Sequence, residues 1–107
     1  QFCTFMPIMR TGGDATKLPW DYGEKVQEVF KKFYWLRENL LDMIYSYAIY
    51  SHKTGIPMTQ AMALAFPECK EAAGNEEQYV FCDNILFASV FEKADTKNVY
   101  FPAGRWY

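Results

Sequence analysis

Residues able to do chemistry are scattered along this sequence, and their spacing excludes most reactions before it points to one. Glu68 and the pair Glu76-Glu77 form the most acidic stretch. Paired carboxylates can act as acid and nucleophile on a glycosidic bond. Nothing beside these three suggests a pocket, so a solvated loop accounts for them. The single histidine, His52, falls near the end of a helical stretch, where a protonated imidazole complements the helix dipole. Cys3, Cys69 and Cys82 are odd in number and lack CxxC spacing, and with His52 they make no metal motif. They read as reduced, mostly buried thiols, which favours a reducing, cytoplasmic setting. Gly12-Gly13 would let a ligand approach the backbone closely. A phosphate cradle, however, needs a strand before it and a helix directly after it. Here a loop and Pro19 intervene, so turn chemistry is the plainer reading. No nucleophile stands with a base, and no cofactor motif is present.

These residues must be positioned by one long element. Apolar residues recur at Val26, Val29, Phe30, Phe33, Leu36, Leu40, Leu41, Ile44, Tyr47 and Ala48. Steps of three and four place them on one face of a helix over Asp21 to Gly55, or of two helices laid nearly end to end. Asp21 and Glu24 have the spacing of a capping box. Gly55 suits the position after a helix, and Pro57 prevents continuation. Met43 to Tyr50 is apolar almost all round and should be buried on most sides. Tyr45, Tyr47 and Tyr50 could stack on sugar rings, but their helical spacing favours packing. Before the helix, Gln1 to Arg10 is mixed apolar, a short strand or helix end, and Thr11 to Lys17 is a turn-rich loop. After it, strands are expected at Ile56–Met62, Tyr79–Cys82, Ile85–Phe91 and Asn98–Phe101, with Asp83-Asn84 as a turn pair and Glu68–Glu77 as a polar loop. Ala61–Phe66 is ambiguous between helix and strand.

A chain of 107 residues is one domain's worth and can bury only a modest core. Aromatics make up 19%, which demands extensive packing or a partner surface. A net charge of −2 favours neither nucleic acid nor an anionic membrane. No apolar run approaches the roughly 20 residues of a membrane span. Gln1 to Arg10 lacks the basic start of a signal peptide, and the absence of an initiator Met suggests that residue 1 is not a native start.

The order of short motifs is more specific than any of them alone. Phe5-Met6-Pro7-Ile8-Met9-Arg10, Leu18-Pro19-Trp20, Leu36-Arg37 with Leu40-Leu41 and Tyr45-Ser46, His52-Lys53-Thr54-Gly55-Ile56-Pro57, Phe66-Pro67, Gln78-Tyr79-Val80-Phe81, Ile85 to Val90, and Tyr100 to Tyr107 follow one another at set spacing. In that order they resemble glycoside hydrolase family 31, the α-glucosidase and α-xylosidase family. The resemblance implies an α/β fragment. Residues 1–55 would be the last strand end and long last helix of a (β/α)8 TIM barrel, and residues 56–107 the first antiparallel strands of the following β-sandwich. It implies a piece of a retaining α-glycosidase with a carbohydrate substrate, completed by the rest of its parent chain, with no cofactor, metal, nucleic acid or membrane.

The family's catalytic aspartates lie on earlier barrel strands, so no catalytic residue is expected here and the segment should be inactive alone. Arg10, Thr11 and Gly12 fall at the active-site rim and become the substrate-binding candidates. Gly12 stands where the family usually carries a sugar-contacting histidine, which implies altered specificity, an N-acetylated sugar for example. Gln60-Ala61 replaces Arg-Pro, Asp42-Met43 replaces Pro-Tyr, Cys82 replaces Gly and Ser89 replaces Pro. A non-catalytic interaction module with a glycosidase-derived fold is the alternative from a different class.

Overall fold

The computed structural model describes residues 1–12 and 18–107; Gly13, Asp14 and the rest of that loop fall outside it. The periodic stretch forms two helices, α1 (Glu24–Asn39) and α2 (Leu41–Thr54). At the joint the Leu40 N–H bonds the Arg37 carbonyl at 3.0 Å, a one-residue tightening, and the ladder resumes when Ile44 N–H bonds the Leu40 carbonyl at 2.9 Å. The start differs from the sequence expectation. Asp21 caps a separate 3₁₀ turn, Pro19–Tyr22, accepting from the Leu18 N–H at 3.0 Å. α1 then begins beyond Gly23, whose φ of +88° is open to glycine and costly for other residues. α2 ends as expected, with Gly55 at φ +76° and its N–H on the Ser51 carbonyl.

Three short strands follow: β1 (Thr59–Ala61), β2 (Gln78–Phe81) and β3 (Ile85–Ala88). They form an antiparallel sheet in the order β1-β2-β3, with Gln60 opposite Val80 and Tyr79 opposite Phe87. The strands expected at Ile56–Met62 and Ile85–Phe91 are present but shorter. α3 (Met62–Ala65) and α4 (Lys70–Ala73) occupy the ambiguous segment and the expected polar loop.

All four residues of β2 are buried, so it has a core on each face. Alternation sends Tyr79 and Phe81 to one side, where they meet Ile44, Tyr47, Cys82 and Phe87. Val80 goes to the other, against Met62 and Ala72. The first core joins α2 to the sheet. The second is the sheet's own cover of two short helices.

Two further expectations are corrected. Asn98–Phe101 is not a strand. The Gln78 side chain takes the role of a neighbouring backbone there, donating to the Tyr100 carbonyl at 2.9 Å and accepting from the Tyr100 N–H at 2.8 Å. In the β2–β3 hairpin the expected turn pair Asp83-Asn84 lies in a turn that also takes in Cys82, and Cys82 and Asp83 are left-handed, at φ +50° and +56°. The left-handed region disfavours a cysteine by roughly 1 kcal/mol, and the fully buried side chain and the Cys82 N–H bond to the Met58 carbonyl hold it there. Finally, of the apolar turn Met43–Tyr50 only Ile44 and Tyr47 are buried, and Tyr45 is 69% exposed. The sheet covers one face of α2, and none of the described residues buries the other.

Leu40 packs on the first core from the joint between the helices. Replacing it with aspartate places an unpaired charge there, and Leu40→Asp in the full-length protein should cost about 3 kcal/mol or more and sharply reduce soluble yield. Normal yield with an unshifted thermal midpoint would show that the buried face is a different one.

Candidate functional site

The segment leading to Arg10 has little secondary structure of its own. Phe2–Phe5 is one 3₁₀ turn and residues 6–12 are irregular. Backbone carbonyls without a ladder need other partners. Arg37, in the last turn of α1, supplies them. Its Nη1 donates to the carbonyls of Thr4 at 2.8 Å and Met6 at 2.7 Å, with Cys3 a longer contact at 3.4 Å, and its Nη2 donates to Pro7 at 2.9 Å. The Phe5 carbonyl, between these, accepts from the Tyr79 hydroxyl at 3.0 Å. Five consecutive carbonyls, Cys3 to Pro7, are thus held by two side chains. The rings of Phe2 and Phe5 meanwhile pack against Tyr79 and Phe87.

From this base the chain runs out to Arg10, Thr11 and Gly12, all exposed. Arg10 folds back over Gly12: a Cβ added at Gly12 would lie 2.6 Å from the Arg10 Nη2. Glycine therefore leaves the space that the guanidinium occupies. Beside them a cleft of about 610 Å³ lies between this segment and α1, lined by Cys3, Arg10, Thr11, Tyr34 and Arg37 among others. That is the size of a small-molecule site. A guanidinium offers charge-assisted donors, and a threonine hydroxyl both donates and accepts, so the rim is suited to a hydroxyl-rich ligand. On the same wall the neighbouring Glu38 carboxylate pushes the Tyr34 phenol upward.

The other candidates lie elsewhere. His52 is exposed in the last turn of α2. Glu77 pairs with Lys97, while Glu68 and Glu76 are exposed. Asp83 accepts from the buried Gln60, which also donates to the Tyr47 hydroxyl at 3.1 Å. Among the described residues no three His, Cys, Asp or Glu side chains group as a metal site, and no helix is long and apolar enough to cross a membrane. All three cysteines are free, but only Cys82 is buried; Cys69 is half-buried and Cys3 is exposed, contrary to the expectation of mostly buried thiols. Burial, reinforced by Asp83, pushes the Cys82 thiol up to about 11. Burial likewise pushes Tyr79 up to about 12 and Tyr47 upward.

Sequence reasoning placed Arg10, Thr11 and Gly12 together at a rim, and they adjoin a cleft. It gave no role to Arg37 or Tyr79. The available signal was Arg37 itself, a cation next to the apolar stripe at Leu36 and Leu40.

Two helices preceded by an irregular segment and followed by an antiparallel sheet are compatible with the end of a barrel joined to a second, β-rich domain. The profile of the glycosyl hydrolases family 31 TIM-barrel domain matches residues 1–47, and that of the glycosyl hydrolase family 31 C-terminal domain matches residues 55–107. The chain belongs to glycoside hydrolase family 31. It is 34% identical to an alpha-xylosidase of Saccharolobus solfataricus over its whole length, covering 15% of that protein. To an isomaltosyltransferase of Sporosarcina globispora it is 32% identical over 99% of its length, covering 11% of that protein. The crystal structure of a GH31 alpha-xylosidase from a soil metagenome complexed with xylose superposes on 89% of the chain with a TM-score of 0.77 and 28% identity, the chain spanning 17% of it.

The raised pKa of Cys82 gives a pH dependence with a definite sign. A thiol whose folded value lies above its ordinary one stabilises the fold fully below pH 9.0, and that contribution disappears as pH rises through about 11. The unfolding midpoint of the full-length protein should hold up to about pH 9 and then fall, and Cys82→Ala should flatten the first part of that fall. An identical slope in the variant would exclude Cys82 as the source.

Proposed function

We propose that the chain works as part of a larger retaining α-glycosidase, residues 1–55 closing its catalytic barrel and residues 56–107 opening its β-sandwich domain. Two carboxylates outside this chain carry the chemistry, one attacking the anomeric carbon and one protonating the leaving oxygen. Arg10, Thr11 and Gly12 form part of the sugar subsite, on the barrel face where such enzymes keep their sites. The observation that carries this is the guanidinium of Arg10 lying over Gly12 beside an open cleft of about 610 Å³. The family membership of both halves and the relatives' names as alpha-xylosidases support an α-linked carbohydrate as the substrate.

Gly12 sets the specificity. A side chain at this position would push the Arg10 guanidinium aside. With glycine, Arg10 stays over the rim as the donor, and no imidazole approaches the ring. The substrate is then a sugar with a larger or differently placed substituent than plain glucose, an N-acetylated sugar among them. The far end of an arginine yields easily, so Gly12→His should fold normally. It should lower kcat/KM on the preferred substrate by about tenfold, near 1.4 kcal/mol of transition-state binding. Assaying wild type and Gly12→His on a panel of nitrophenyl α-glycosides decides this. A wild type that prefers α-glucoside, with no loss in the variant, is the contrary result.

A further inference from the structure

We infer that Tyr79, from the sheet that follows the helices, is a positioning residue for the Arg10–Gly12 subsite, because its hydroxyl fixes the one carbonyl in the Cys3–Pro7 run that Arg37 leaves free. This rests on the reading of residues 10–12 as a sugar subsite. Tyr79 lies in the central strand, paired with Ala61 on one side and Phe87 on the other, so its backbone cannot shift without disturbing both neighbours. Its ring is buried among Phe2 and Phe87, with centroids 6.0 and 5.0 Å away, which fixes the direction of the hydroxyl. That hydroxyl meets the Phe5 carbonyl at 3.0 Å. The carbonyls on either side, Thr4 and Met6, are held by Arg37, which itself lines the cleft with Arg10 and Thr11. A strand within the region matched by the C-terminal domain profile thereby sets the geometry of a rim within the region matched by the barrel profile.

Removing the Tyr79 hydroxyl leaves the Phe5 carbonyl without a donor. That peptide turns toward water, and the four residues between it and Arg10 carry the change to the subsite. Looser ground-state binding raises KM more than it lowers kcat. A second hydroxyl provides the control. Tyr47 also links α2 to the sheet, but its hydroxyl accepts from Gln60 and bonds no carbonyl of residues 3–7, although its ring shares the core on which Phe5 and Met6 pack.

The test compares Tyr79→Phe and Tyr47→Phe in the full-length protein, by kinetics on its best nitrophenyl α-glycoside and by amide hydrogen exchange. Tyr79→Phe should raise KM about fivefold with kcat nearly kept, and should speed exchange across residues 3–12. Tyr47→Phe should do neither, even where it lowers the thermal midpoint as much. Unchanged KM and exchange in Tyr79→Phe overturn the inference. So does an equal rise in KM in Tyr47→Phe, which would reduce the effect to general destabilisation. A wild type inactive on every α-glycoside overturns the subsite reading itself and this role with it, whereas an active wild type with an unmoved KM overturns the part of Tyr79 alone.

Discussion

The Arg37 guanidinium, set against the carbonyls of Cys3, Thr4, Met6 and Pro7, is the contact on which the arrangement of this chain depends. An irregular segment next to a core is stable only where its carbonyls find donors. A guanidinium offers five N–H groups in a rigid fork, so one side chain can serve several carbonyls where a lysine would serve fewer. Because Arg37 sits in the last turn of α1, the same residue whose backbone carbonyl tightens the joint at Leu40 also fixes the approach to Arg10. Helix joint and rim are therefore set together.

Side-chain amides do comparable work on the sheet. Gln78, buried on β2, replaces a strand partner for Tyr100 and holds the 98–107 segment beside the sheet. Gln60, buried on β1, donates to Tyr47 on α2 and to Asp83 in the hairpin. A neutral amide at this buried position avoids the desolvation cost of a charge. Polar side chains thus connect elements that the short strands cannot connect by backbone pairing alone. The apolar contacts between α2 and the sheet supply most of the burial, and the polar ones fix its geometry.

What the sequence made legible follows from periodicity and from the order of motifs. The helical stripe, the stop at Gly55 and the antiparallel order of the strands were all readable, because each depends on local spacing. Residues 10–12 became candidates only through their place in a motif, and the structure adds the cleft that Arg10 and Thr11 line. What escaped depends on contacts distant in sequence. Nothing local shows that Gln78 will take the backbone groups of Tyr100, so Asn98–Phe101 reads as a strand. Nothing local shows that Gly23 starts α1, because Asp21 satisfies the capping pattern equally well while serving an earlier turn. The exposed face of α2 has the opposite cause: its composition calls for cover on most sides, and the described residues provide cover on one.

The central claim is that residues 10–12 meet the sugar because the segment before them is held by Arg37 and Tyr79. The most direct measurement is a crystal structure of the full-length protein with its product sugar bound. The account predicts ring hydroxyls within hydrogen-bonding distance, about 3 Å, of Arg10, Thr11 or the backbone of Gly12, with the carbonyls of Thr4, Phe5 and Met6 still accepting from Arg37 and Tyr79. A sugar bound away from residues 10–12, with these carbonyl contacts intact, would contradict it.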